Sequence, residues 1–250
     1  MKIEDSFETK IRREIIELYS SKNITPSRTF EDFKCPYKLS CLGPRNKDKW
    51  NSGSWAYVGF KYGEAQIHGK FEKVFVVAMD RGGKERSNEE TFEETQSNFR
   101  EATEKRWNPH MGGVSLILES LLDEQNISEY SVQYALTNAV KCSIRSDNMN
   151  AVRGYQIISN CSHHLKEEIA VLQPDIIITQ GKHPQQTIRK FLPVNENKIL
   201  HFGSVQLWRY EGKIVLGTPH PARLKGMAYS KGMMPDYFYD AIGGIKKLFR

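Results

Sequence analysis

The chain has 250 residues, a formal net charge of +6 and a charged fraction of 26%. These values are typical of an ordinary soluble globular protein, and the mild positive charge fits a polyanionic partner such as nucleic acid. No apolar run is long enough to cross a bilayer, which argues against a membrane protein. The first ten residues lack the apolar stretch of a signal peptide, so we expect an intracellular, cytoplasmic protein.

The N-terminal part is predicted to contain one helix and an irregular segment. Residues 7–20 carry apolar side chains near helical spacing, which predicts an amphipathic helix. These apolar positions are Ile11, Ile15, Ile16 and Tyr19. Residues 21–70 hold many turn formers and aromatic residues without a clear period. We therefore expect residues 1–70 to form a helix and a cysteine-bearing irregular segment that packs on the core.

The remainder of the chain, residues 71–250, is predicted to be an α/β domain that forms one structural unit with the N-terminal part. Val74–Met79 reads as a buried strand that leads into Asp80, and the polar residues 84–106 as an exposed helix or lid. Further strands are predicted at 132–140, 175–179 and 213–217, and helices at 114–122, 153–172, 185–191 and 236–249. This alternation predicts a three-layer α/β/α sandwich with a central, mostly parallel sheet.

Three polar residues follow predicted strands at or near their carboxyl ends: Asp80, Asn138 and His220. In parallel α/β sheets, ligands bind at this edge, so these side chains could meet in one cleft. The alternative is that they are loop residues without a shared task.

Four cysteines form the second candidate site. Cys35 and Cys41 are spaced C-x5-C, whereas Cys142 follows a strand and Cys161 lies within the next helix. Four thiolates can hold a structural zinc ion or a [4Fe–4S] cluster, and spacing alone does not separate the two. Buried free cysteines are the alternative.

Several segments match family motifs. Thr137-Asn138-Ala139-Val140-Lys141-Cys142 resembles a T-N-x-V-K-C segment, and Glu168–Ile178 resembles an E-x-x-x-L-x-P-x-x-I-[IV] stretch that follows a cluster cysteine. Thr218-Pro219-His220-Pro221 resembles an H-P-S loop, and Gly181 matches a glycine after the third strand. Over residues 33–250 the chain is thus similar to the iron–sulfur uracil-DNA glycosylases of the thermophile and archaeal type, within the uracil-DNA glycosylase superfamily.

The resemblance implies a monofunctional DNA glycosylase, an N-glycosyl hydrolase that acts on DNA as a monomer. It would flip a damaged or modified pyrimidine out of the helix and hydrolyse its N-glycosidic bond, leaving an abasic site. Asn138 would read the base edge, His220 would stabilise the departing base, and Asp80 would stabilise the sugar cation and orient the water. Cys35, Cys41, Cys142 and Cys161 would hold a [4Fe–4S] cluster of structural role, with zinc the less favoured alternative.

The chain also departs from the family pattern around the base pocket. In the stretch Ala78-Met79-Asp80-Arg81-Gly82, Arg81 replaces the usual proline, and Met79 and Arg81 flank the candidate acid. His110 stands where the family has the phenylalanine that stacks on uracil, just before a glycine ahead of the next helix. The cysteine pair is more widely spaced, and the stretch 84–106 is long for the family. These departures indicate a reshaped pocket.

Uracil is therefore the default substrate, and a bulkier modified cytosine of phage DNA, as in an antiviral defence enzyme, is a second possibility. Arg223, Leu224 and Lys225 are expected to contact DNA, with Leu224 as the wedge that holds the gap. Other basic residues expected at phosphates are Lys141, Arg145, Arg153 and Lys231. Two rival interpretations are a non-catalytic or covalently trapping binder of damaged or single-stranded DNA, and a zinc-bearing nucleotide-binding protein.

Overall fold

A computed structural model describes residues 7–42, 50–79, 90–144, 154–221 and 234–248. The strands are β1 Trp50–Ser52, β2 Tyr57–Val58, β3 Ala65–Ile67, β4 Lys70–Glu72, β5 Val74–Ala78, β6 Tyr134–Asn138, β7 Cys142–Ile144, β8 Ile176–Gln180, β9 Leu200–Phe202, β10 Val205–Tyr210 and β11 Lys213–Thr218. The helices are α1 Phe7–Ser21, α2 Lys38–Leu42, α3 Phe92–Lys105, α4 Pro109–Leu121, α5 Ile127–Tyr130, α6 Gly154–Leu172, α7 Lys182–Phe191 and α8 Asp236–Leu248.

Seven of these strands form the central sheet, in the order β2-β6-β5-β8-β11-β10-β9. The four inner strands β6, β5, β8 and β11 are parallel, and antiparallel strands flank them on both sides. All residues of β5, β6 and β8 are buried, which explains why these strands read as continuous apolar runs instead of alternating ones. The predicted central, mostly parallel sheet is confirmed.

Helices cover both faces of the sheet. Because side chains alternate along a strand, Ile177 of β8 packs in the core on the α1, α6 and α7 side. Its neighbours Ile176 and Ile178 pack in the core on the α4 and α8 side. The protein is therefore the three-layer α/β/α sandwich that the sequence predicts.

The segment before β5 is more regular than expected. Residues 21–70 contribute β2 to the edge of the central sheet, where Tyr57 pairs with Leu136. They also contribute β1, which pairs with β7 and sets Ser52 opposite Cys142. The N-terminal part thus lies directly beside the carboxyl end of β6. No helix within the described part of the chain is long and apolar enough to span a membrane.

Two helices differ from their predictions in ways that affect the site. The prediction of a helix at 114–122 is wrong at its start, because Asn108 caps α4 and accepts a bond from Met111 N at 3.0 Å. Helix α3 begins with a capping box of Thr91 and Glu94 and lies within the stretch expected to be exposed. One side of α3 is instead buried, since Gln96 bonds the backbone of Ala56 and Val58 in the N-terminal part.

Candidate functional site

The carboxyl ends of the four parallel strands lie in register. Ala78 pairs with Asn138 across β5 and β6, and Gln180 pairs with Thr218 across β8 and β11. The β5–β8 register joins the two pairs, because Val77 is opposite Thr179. Asn138 and the loop that carries His220 therefore emerge at the same edge of the sheet, as the sequence predicts.

Asn138 is held on both its side chain and its backbone. It is 5% exposed, and its Nδ2 donates to Ser54 Oγ at 3.3 Å. Its carbonyl oxygen accepts a bond from Lys141 Nζ at 2.8 Å. The amide therefore has a fixed position at the end of β6, and Ser54 from the N-terminal part is its side-chain partner.

A buried ion pair lies immediately behind Asn138. Lys141 is 2% exposed and its Nζ lies 2.8 Å from both carboxylate oxygens of Glu168, which is fully buried. Tyr19 Oη and Thr137 Oγ1 donate to the same carboxylate at 2.5 and 3.0 Å. The expectation that Lys141 contacts phosphate is wrong, because this network keeps its ammonium group inside the core.

Two glycines fit closely around the loop that follows β11. A methyl group added at Gly113 in α4 would lie 2.5 Å from Pro221 Cγ, so any larger residue would displace the loop. Gly181 has φ of 107° and caps α7, and a methyl group there would lie 3.7 Å from His220 Cβ. Packing from α4 and from the β8–α7 turn thus sets the position of His220.

His110 lies beside His220. Their ring centroids are 5.9 Å apart and the rings are nearly parallel, with an interplanar angle of 23°. His110 is in the first turn of α4, whereas the sequence comparison placed it in a loop before the helix. Burial of the ring and, to a lesser extent, the neighbouring His220 lower the pKa of His110 to about 4, although the Gln180 amide acts in the opposite direction. The His110 imidazole is therefore neutral at physiological pH.

The structure describes only some of the other residues that were predicted for the site. Met79 directly follows β5, is partly exposed and packs against the core on the α1 and α6 side. Asp80 and Arg81 lie outside the described residues, as do Arg223, Leu224 and Lys225. Their predicted roles in catalysis and DNA binding remain predictions.

All four cysteines are buried beside α6. Cys35 precedes α2, Cys41 lies in α2, Cys142 begins β7, and Cys161 lies on α6. Asn160 Nδ2 donates to Cys41 Sγ at 3.1 Å, and the backbone nitrogen of Lys141 donates to Cys161 Sγ at 3.5 Å. The four thiols are therefore contributed by three separate parts of the chain.

The comparisons with known proteins agree with this arrangement. The family model described as "Uracil DNA glycosylase superfamily" matches residues 70–242. The chain belongs to the uracil DNA glycosylase superfamily. A curated relative, the Type-4 uracil-DNA glycosylase of Sulfurisphaera tokodaii, is 32% identical over 125 residues, which cover 49% of this chain and 55% of the relative. The aligned stretch thus spans about half of that relative's length.

The four buried thiols in this superfamily member form a donor set of the kind that binds a metal ion or an iron–sulfur cluster. Burial raises the pKa of Cys142 well above its usual range, and the charges of Cys161, Cys35 and Cys41 add to the effect. Burial also raises the pKa of Cys161 to about 12. Such thiols become thiolates when a metal compensates their charge.

Among the residues that the structure describes, no group of three or more His, Cys, Asp or Glu side chains is arranged to hold one metal ion.

Two residues at this glycosylase-superfamily site carry no signal in the sequence. Ser54 lies in the segment predicted to be irregular, and it reaches Asn138 through tertiary packing alone. Gln180 is the last residue of β8, is fully buried and follows a strand predicted to end one residue earlier. Its place at the strand end is visible only once the register of β8 against β11 is known.

Proposed function

We propose that the protein is a DNA glycosylase that releases a flipped-out pyrimidine and leaves an abasic site. The observation that carries the proposal is the convergence of Asn138 and the His220 loop at one edge of the sheet, within the segment that matches the superfamily. The name of the Sulfurisphaera tokodaii relative supports uracil as the default base. A bulkier modified cytosine of phage DNA is the alternative substrate, motivated by the altered pocket residues.

In this proposal Asn138 reads the base. A carboxamide offers one acceptor and two donors, and the bond to Ser54 uses one donor of Asn138. The remaining acceptor and donor suit the edge of a pyrimidine that has left the base stack. The Lys141 bond to the Asn138 carbonyl holds the backbone of this reader in place.

His220 would stabilise the departing base, because a donor aimed at a base carbonyl acts most strongly as negative charge develops there. The neutral His110 ring beside it adds no positive charge and can pack flat against a ring. Asp80, which follows β5 in the sequence, would stabilise the cation-like sugar and orient the attacking water. Arg223, Leu224 and Lys225 would contact the DNA around the gap.

A base-release assay with mass detection tests the proposal. Anaerobically purified protein is incubated with uracil-containing oligonucleotides and with genomic DNAs that include phage DNA bearing modified cytosines. We expect a free base from at least one substrate and a loss of at least about 100-fold in His220→Ala, the effect typical of losing one oxyanion donor. His201→Ala is the matched control, since His201 is an exposed histidine on β9.

The assay also separates the rival functions. Tight DNA binding by the wild type without release of any base would favour the non-catalytic binder. A DNA adduct that survives a denaturing gel would favour the covalent trap. Equal release by wild type and His220→Ala would overturn the assigned role of His220.

We propose further that Cys35, Cys41, Cys142 and Cys161 hold a [4Fe–4S] cluster. The cluster would supply structure and no step of bond cleavage, because it would join the N-terminal part to α6 behind the base reader. Metal and sulfide analysis of the anaerobic protein tests this. We expect about four iron atoms and four sulfides per chain, whereas one zinc ion and a colourless protein would overturn it.

A further inference from the structure

We propose that Gln180 is a second base-recognition residue, and that it selects pyrimidines with a hydrogen-bonding substituent on the ring edge opposite the one read by Asn138. This inference rests on the proposed glycosylase function and names the substrate class of the same site. It is carried by the position, the burial and the unpaired state of one side chain.

The position follows from strand register. Asn138 pairs with Ala78, and continuing the β5–β8 register from Val77 and Thr179 sets Gln180 on the other side of Ala78. Gln180 also points toward the α4 face, because Ile176 and Ile178, which share its side of β8, pack in that core. Two carboxamides therefore stand on either side of a small alanine at the carboxyl edge of the sheet.

The space between them suits one ring. Two strand spacings of about 4.8 Å each separate the backbones of Asn138 and Gln180. Ala78 lies between them and projects only a methyl group, so a flat base could lie above it with one amide at each edge. At the strand ends, β6 and β8 thus provide polar side chains on either side of the small, buried Ala78 of β5.

The Gln180 side chain is unusual because it is fully buried and unsatisfied. Neither its Oε1 nor its Nε2 makes a well-aligned hydrogen bond with the residues that the structure describes, and the amide lies close enough to the His110 ring to raise the pKa of that imidazole. Buried polar atoms without partners are rare in native proteins, and each one needs an explanation such as a functional role. An amide retained at this cost, beside the candidate base reader, indicates a ligand that supplies the missing bonds.

His110 and Gly113 cover this amide in the DNA-free protein. A methyl group at Gly113 would lie 3.7 Å from Gln180 Nε2, so the amide reaches the first turns of α4. His110 Nε2 is also buried and lacks a partner within the described residues. Several polar atoms without hydrogen bonds therefore lie together where His110 contacts Gln180. The His110 ring is the group that must change its orientation when a base binds beside Gln180.

The structure of the pyrimidine ring indicates which C5 substituent could form hydrogen bonds with Gln180. When Asn138 reads the Watson–Crick edge, the C5–C6 edge of the base faces Gln180. Uracil has only C–H groups on that edge, and thymine has a methyl group, so both would leave the amide unpaired. A hydroxymethyl group at C5 carries one donor and one acceptor, which matches the two kinds of atom in a carboxamide.

The test compares three bases that differ only at C5: uracil, thymine and 5-hydroxymethyluracil at one position of the same oligonucleotide. The thymine and hydroxymethyluracil substrates differ by a single hydroxyl group. We expect wild-type kcat/KM for 5-hydroxymethyluracil to exceed that for thymine by at least about 100-fold, because a site built to bond a hydroxyl discriminates strongly against its absence.

Gln180→Met removes the amide at nearly constant volume, and it should reduce this ratio to below about tenfold. Thr179→Val is the matched control. Thr179 is the adjacent residue of β8, is equally buried and also carries an unpaired side-chain atom, but it faces the other side of the sheet. Its substitution should leave the ratio unchanged.

A thermal melt completes the comparison. Because Gln180→Met removes unsatisfied buried atoms, we expect its Tm to be at least that of the wild type, so a lost preference cannot result from unfolding. Release of uracil with equal wild-type rates on thymine and 5-hydroxymethyluracil would overturn the role of Gln180 and leave the glycosylase intact. No release of any base would overturn the proposed function and this inference with it.

Discussion

Close contacts between single residues hold the loop that carries His220 in position. Gly113 lies against Pro221, and an added methyl group would meet the proline ring at 2.5 and 2.6 Å. We expect Gly113→Ala to destabilise the protein by about 1–3 kcal/mol, as overpacked cores do. It should also lower base release, because the displaced loop carries His220. Thermal unfolding and the release assay measure the two effects.

Gly243→Ala provides the control for this change. Gly243 also lies in a helix, α8, but no atom lies within 4 Å of an added methyl group. The substitution should therefore stabilise the protein by roughly 0.5–1 kcal/mol through helix propensity alone. If both substitutions gave the same stabilisation, the Gly113–Pro221 contact would not constrain the loop.

Ser54 provides a second prediction at this scale. Ser54→Ala removes the partner of Asn138 Nδ2 without altering a charge. One such bond contributes about 1 kcal/mol, so we expect kcat to fall roughly fivefold on every accepted base. Ser54→Thr, which keeps a hydroxyl, should restore the rate, and Ser162→Ala, at a partly exposed position on α6, should have no effect. An unchanged rate in Ser54→Ala would exclude Ser54 as a positioning residue.

The sequence identifies the residues that carry motifs and misses those that act through tertiary contact. Asn138 and His220 stand in motifs at strand ends, so their convergence could be predicted. Ser54 reaches Asn138 from 84 residues away. The predicted placement of His110 in a loop is wrong because Asn108 caps α4 and starts the helix before its apolar pattern begins. Capping residues such as Asn108 are readable in a sequence, whereas contacts such as Ser54–Asn138 require the fold.

At the scale of elements, the Lys141–Glu168 pair joins α1, β6 and α6. Removing one member of a buried pair leaves an unpaired charge and costs about 3–5 kcal/mol. We therefore expect Lys141→Met to lower the free energy of unfolding by this amount, because the Lys141 side chain is only 2% exposed in the wild type. The double variant Lys141→Met/Glu168→Leu should recover most of the loss. Urea unfolding measures both variants.

The adjacent residue of α6 offers a matched control. Glu167 pairs with Lys22 at 2.5 Å, but both side chains are about one third exposed. Exposed pairs contribute about 0–1 kcal/mol, so Lys22→Met should have little effect. Equal losses in Lys22→Met and Lys141→Met would show that burial does not determine the strength of these pairs.

A second junction, between β4 and the start of β8, should respond to pH. Partial burial, and the neighbouring Asp175 carboxylate, raise the pKa of Glu72 to about 7 in the folded protein from 4.5. The folded state therefore binds a proton that the unfolded state releases, and stability is lost as pH rises from about 4.5 to 7. We expect Glu72→Gln to raise Tm at pH 8 and to leave it unchanged at pH 4. A larger gain at pH 4 would contradict this sign.

Helices and strands with a strong hydrophobic pattern can be predicted from the sequence, whereas very short strands cannot. Helices α1, α6 and α8 and strands β5 and β11 lie within one or two residues of their predictions. Strand β2 has two residues and pairs through β6, so neither its length nor its composition identifies it. Strands β1 and β7 have three residues each and link segments about 90 residues apart. Such strands arise from tertiary pairing that local sequence does not record.

At the scale of the whole molecule, the N-terminal part is attached to the sandwich at two places. Helix α1 packs on α6 through Ile11, Ile15 and Tyr19, which are buried, and Tyr19 bonds Glu168 at 2.5 Å. The α2 segment instead lies where Cys35 and Cys41 approach the cysteines of β7 and α6. If these thiols hold a cluster, as proposed, the second attachment depends on metal and the first does not.

This division predicts local, not global, loosening when one ligand is removed. We expect Cys35→Ser to lose iron and visible colour, and to become sensitive to trypsin after Lys34 and Lys38. Cleavage after Arg12 and Arg13 should stay slow, because α1 is also held by the buried bond from Tyr19 to Glu168 and by its own apolar contacts. Limited proteolysis followed by mass spectrometry locates the cuts. Ser40→Ala, an exposed change in α2, which follows Cys35, should keep both the iron and the protection. Equal sensitivity at all four sites would show that the cluster and α1 form one cooperative unit, and unchanged protection would show that α2 is held without metal.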